Sequence, residues 1–128
     1  MSFNRILVGL AGLFGACGIA LSATAAHAGG ENLQTAANFL LFSAPALLAA
    51  GLLATHGVVR WGAASLALGV VLFSGDLVAR HYLGGRLFPM AAPAGGLLMI
   101  AGWLTIGLGA LFNGLWVALR APAESAAA

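Results

Sequence analysis

Three observations predict an all-α integral membrane protein, a four-helix bundle of up-down-up-down topology. The chain is 62% hydrophobic and 6% charged over 128 residues, whereas a soluble domain devotes about a quarter of its residues to charge. Four apolar stretches reach the ~20 residues that a helix needs to cross the hydrocarbon; they cover residues 6–26, 34–55, 62–82 and 93–119. The connections between them are short, which forces neighbouring helices antiparallel. One transmembrane domain over residues 1–120 accounts for these features, followed by a small, flexible tail at 121–128.

The first stretch admits two readings. As a signal peptide it offers Arg5, an apolar core and the small-residue pattern Ala26-His27-Ala28. Against cleavage, its apolar run of about 21 residues exceeds the 7–15 of a signal core. Its glycines also recur every third residue at Gly9, Gly12, Gly15 and Gly18. With Ala11, Ala16, Ala20 and Ser22 they form small-x-x-x-small pairs, which let backbones approach closely in lipid. A discarded leader has no use for such a face, so a retained helix is expected. Cys17, the single cysteine, can form no intrachain disulfide and is expected as a small buried hydrophobe.

Pro45 falls midway through the second stretch. The residues beyond it are too few to span alone, so the helix must continue through a kink. The third stretch holds Asp76, with Arg80 four residues later on the same helix face. Asp76 lies about 9 Å from the end of its helix by the helical rise. It reads either as half of an interfacial ion pair that sets helix depth or as a functional intramembrane carboxylate. A basic loop carrying Arg86 follows, then a corner at Pro93, Gly95 and Gly96 that lets the fourth helix begin close to another backbone. That helix is long, ~40 Å for its 27 residues, and must tilt or project. Trp61 and Trp116 sit near helix ends and read as interfacial anchors, whereas Trp103 is deeper and is expected between helices.

Antiparallel helices place His27 and His81 at one membrane face and His56 at the other. Ligands divided by a bilayer cannot share a metal, so no metal site is expected. His27 is expected instead near His81, Arg80 or Glu31. No catalytic Ser-His-Asp set, phosphate-cradling loop, carboxylate pair or cofactor motif is visible, and five scattered arginines make no nucleic-acid footprint. With the N-terminus inside, Arg5, Arg60 and Arg120 are cytoplasmic against Arg80 and Arg86 outside, and Asp76 neutralises Arg80. Both termini are therefore expected in the cytoplasm.

The LFSG at 72–75, PAGG at 93–96 and Gly102-Trp103 resemble the domain-of-unknown-function 423 family, which includes the transmembrane protein 256-like proteins. An N-terminal small-residue run ending in His27 matches that family's pattern loosely. The family's helix-two histidine is absent; its Tyr-x-x-Tyr-His pattern falls on Phe39, Phe42 and Ser43. Asp76 stands where serine is commoner in the family. The resemblance implies a small bacterial inner-membrane or organellar protein of four helices with no established activity. The expected role is a non-catalytic structural or accessory one, acting in the bilayer through packing with a protein partner or in a homo-oligomer. The alternative is a small oligomeric proton or ion conduit built on Asp76.

Overall fold

A computed structural model describes residues 2–54 and 57–120, with the Trp116 side chain excepted. Residue 55, His56, the tail at 121–128 and the anchoring role expected of Trp116 lie outside the described residues. The described residues form four helices: α1 (Phe3–Ala28), α2 (Glu31–Leu53), α3 (Gly57–Leu83) and α4 (Ala91–Arg120). All four are long and apolar enough to cross a membrane.

Local chemistry explains where the helices start and stop. The Ser2 hydroxyl accepts a hydrogen bond from the Arg5 N–H, so α1 begins before its apolar run. At its other end Gly29 takes φ 78° and donates its N–H to the Ala25 carbonyl. Gly30 follows at φ 128°. These two glycines reverse the chain in two residues, and α2 starts directly at Glu31, whose acid suits a helix N-terminus. Helix α4 begins at Ala91, two residues ahead of Pro93. The proline thus occupies the first turn, where a missing N–H breaks no helical bond.

α1 packs along α2, α2 along α3, and α3 along α4, with a lesser contact between α1 and α3. Among the described residues, the α4 backbone comes within 8 Å of α3 alone. Helix α3 is therefore the central element, and Leu66, Val70 and Ala63 are fully buried on it. They meet Leu7 and Phe14 of α1, Leu47 of α2 and Met99 of α4 in one core. The Ser74 hydroxyl crosses from α3 to the Ala36 carbonyl of α2 at 3.2 Å. Ser74→Ala should cost about 0.6 kcal/mol, the average for such bonds between membrane helices; unfolding in a mixed-micelle denaturant titration measures it.

Glycines bring the backbones of α3 and α4 into contact. A methyl group placed on Gly69 would lie 2.6 Å from the Gly95 carbonyl oxygen, and one on Gly102 would lie 2.6 Å from the Leu66 nitrogen. Gly95 is thus a point of backbone contact, whereas Gly96 faces open space. On α1, Gly18 packs against Leu41 and Ala37, while Gly9, Gly12 and Gly15 meet nothing within 4 Å. Cys17 is exposed on the outer surface of α1 rather than buried. Its position sets this: it is one residue, about 100° of helix turn, away from the buried Gly18. Trp103 is half exposed and lines a groove between α2 and α4 rather than a closed interface.

Candidate functional site

The chemistry-bearing groups concentrate where α3 ends, the 84–90 loop begins and the α1–α2 turn passes. Asp76 is completely buried there. Its Oδ2 lies 2.7 Å from Arg80 Nη2, one turn along α3. Its Oδ1 accepts a hydrogen bond from the Leu87 N–H at 2.9 Å. Neither Asp76 Oδ2 nor Arg80 Nε has an aligned hydrogen bond, so charge and proximity hold the pair. The Arg80 side chain remains 31% exposed, which lets it reach toward the interface while compensating the acid.

The Leu87 amide is the contact that gives Asp76 its architectural meaning. Gly84 at φ 74° turns the chain, and the loop folds back over the last turns of α3. The Leu87 side chain then rests on Gly75, where an added methyl would lie 3.3 Å from Leu87 Cδ1. Asp76 therefore clasps the loop to the helix that carries it. Helix α4 begins just beyond the clasped segment, at Ala91. Nothing in the sequence marks a backbone amide as the partner; the small residue Gly75 beside the acid is the one available sign that something approaches there.

His81 joins the second connection to this end. Its ring packs on Gly30, where an added methyl would be 2.8 Å from His81 Cε1. The same ring stands edge-on to Tyr82 at a centroid distance of 4.7 Å. Glycine at position 30 both permits the positive φ and makes room for the imidazole. His27 is exposed in the last turn of α1. No hydrogen bond or ion pair joins it to Arg80, His81 or Glu31 among the described residues. The structure thus assembles Asp76, Arg80 and the loop into one unit and seats His81 on the α1–α2 turn, with His27 outside both.

At the opposite end, Trp61 is exposed and its ring lies 5.6 Å from that of Phe3. Among the described residues no group of three or more His, Cys, Asp or Glu side chains is placed to hold a metal ion. Among the described residues, the enclosed carboxylate is held by the Arg80 guanidinium on one oxygen and the Leu87 N–H on the other.

Four apolar spans and a buried interfacial clasp define a small multi-pass integral membrane protein. Within that class the chain belongs to the family described as protein of unknown function DUF423, whose profile matches residues 11–96. The match takes in the Asp76 position and ends at the glycine corner of α4. A UPF0382 membrane protein of Haemophilus influenzae is 32% identical over 113 residues, covering 80% of this chain and 89% of the relative. Another, of Staphylococcus haemolyticus, is 36% identical over 75 residues, or 57% and 62% of the two chains. A third, of Schizosaccharomyces pombe, is 32% identical over 81 residues, or 59% and 69%. No solved structure matches the chain.

Proposed function

We propose that this protein is a non-catalytic structural or accessory membrane protein, acting through helix packing with a partner or with further copies of itself. The observation that supports this best is the state of α4. It is 30 residues long and apolar nearly throughout, yet among the described residues its backbone comes close to that of α3 alone. Its outer face carries Leu97, Leu104 and Leu111 at seven-residue intervals, each more than half exposed. A seven-residue apolar repeat is the pattern with which helices interdigitate side by side. Beside it lies the open groove of about 410 Å³ between α2 and α4, lined by Ala46, Ala49, Leu53, Val59, Trp103 and Ile106.

The setting we propose is a bacterial inner membrane with both termini in the cytoplasm. Arg5, Arg60 and Arg120 lie at one end of the helices, and Arg80 at the other is compensated by Asp76. Native mass spectrometry from mild detergent should retain a defined oligomer or a stoichiometric partner. The double variant Leu104→Ala/Leu111→Ala should weaken that assembly roughly tenfold, equivalent to about 1.4 kcal/mol. Recovery of a lone monomer under gentle conditions would count against the proposal. An ion conduit through Asp76 has less support, since the carboxylate is enclosed and engaged on both oxygens.

A further inference from the structure

The outer seam between α1 and α2 is a groove with a polar rim and an apolar floor. Its upper part, about 310 Å³, is lined by Asn4, Arg5, Val8, Gly51 and Leu52. Its lower part, about 440 Å³, shares Val8 and continues past Gly12, Leu41, Pro45 and Leu48. From Leu52 to Leu41 it runs about 16 Å along α2 by the helical rise. That is about half the ~30 Å hydrocarbon thickness, the depth of one leaflet. Two sequence features left unused by the α1–α2 contact keep this groove open. Gly12 faces empty space where any side chain would intrude, and Pro45 lies exposed on the opposite wall.

We propose that this groove holds an anionic phospholipid, its phosphate at Arg5 and one acyl chain lying over Val8, Gly12 and Pro45. Two observations select this occupant. The polar residues of the lining, Asn4 and Arg5, sit at the rim, and the floor is apolar, as in a molecule with one charged end and one hydrocarbon end. Arg5, Arg60 and Arg120 also mark this end of the helices, while the described acids, Glu31 and Asp76, belong to the other. A second copy inserted in the same orientation would bring neither described acid to Arg5, whereas the orientation proposed above, on which this argument rests, puts Arg5 at the anionic cytoplasmic surface.

The test places the full chain in vesicles containing equal parts phosphatidylglycerol and phosphatidylcholine, and counts the lipids that stay bound in native mass spectrometry. Phosphatidylglycerol should be retained about fivefold over phosphatidylcholine, the scale of one arginine near an anionic surface. Arg5→Gln should remove that preference, and Gly12→Leu should reduce retention of both lipids by filling the groove. Arg86→Gln, at the far end, should change neither. Equal retention of the two lipids by the unaltered protein would overturn the proposal. So would an unchanged preference in Arg5→Gln, or a Gly12→Leu variant that loses an oligomer and keeps its lipid. Arg5 is exposed, so its variant should fold and decides the question alone if Gly12→Leu does not.

Discussion

Gly69→Ala should destabilise the protein by about 2–3 kcal/mol, at the upper end of the cost of overpacking a well-fitted interior. The added methyl would lie 2.6 Å from the Gly95 carbonyl oxygen and 2.7 Å from the Met99 nitrogen. These neighbours are backbone atoms of another helix and cannot turn aside, so α4 itself must move. The same holds in reverse: a methyl on Gly95 would lie 2.7 Å from the Gly69 oxygen and 2.7 Å from the Phe73 nitrogen. One widening of the seam relieves both clashes, so Gly69→Ala/Gly95→Ala should cost less than the sum of the single changes. Gly107→Ala is the control, because that position on α4 meets nothing within 4 Å. It should be neutral or gain up to about 1 kcal/mol from helix propensity. Unfolding in mixed micelles measures the four variants against the unaltered protein; a Gly69→Ala as mild as Gly107→Ala would remove the role given to this seam. The effect is large because water exclusion does not hold helices together in lipid, and close packing must do so. Among the described residues, the α4 backbone comes close to that of α3 alone, so α4 relies on these contacts more than the other helices do.

The four spans were readable because a bilayer imposes a length that apolar runs must meet. Their ends were less readable, because caps decide them: Ser2 extends α1 backward, and Gly29 with Gly30 compresses the first connection to two residues. The glycine pattern that stands out in the sequence is not the one that packs most tightly. Glycines every third residue on α1 drift about 60° per step around the helix, so Gly9 to Gly18 spread over half its circumference. Of these four only Gly18 meets α2. Gly62 and Gly69, and Gly95 and Gly102, are seven apart and stay on one face, yet each is an isolated glycine or part of a local corner within an apolar run. Their meaning arises when two such faces oppose one another, and a single sequence does not state which helices will meet. The same limit applies at the other end of α3. The four-residue spacing of Asp76 and Arg80 can be read directly. The Leu87 amide cannot, because every residue other than proline carries one, and neither can the seat of His81 on Gly30, which pairs positions far apart in the chain.

Asp76→Ala should both destabilise the fold and release the 84–90 loop, and the second effect distinguishes a clasp from a generic buried charge. Removing one member of a buried ion pair costs about 3–5 kcal/mol when the survivor stays buried. Here the surviving Arg80 is 31% exposed and can turn to the interface, so a loss of about 2–3 kcal/mol is expected. Asp76→Asn should recover part of that loss, since an amide oxygen still accepts from the Leu87 N–H while the attraction to Arg80 is gone. Local release can be read at the Arg86–Leu87 peptide bond, whose nitrogen donates to Asp76 Oδ1. Trypsin cleaves after arginine, and it can reach this bond in a productive conformation only when the loop leaves the carboxylate. Cleavage of an ordered segment follows the population of its open form. A hydrogen bond to a charged group is worth about 1.5–3 kcal/mol, so Asp76→Ala should speed tryptic cleavage at Arg86 roughly ten- to a hundredfold. Asp76→Asn should fall between that variant and the unaltered protein. Cleavage after Arg120 serves as the internal reference, because that bond lies at the far end of the bundle from the clasp. Equal cleavage rates at Arg86 in all three proteins would mean that the loop is held by Leu87 packing on Gly75 alone. Asp76 would then serve only to set the depth of α3.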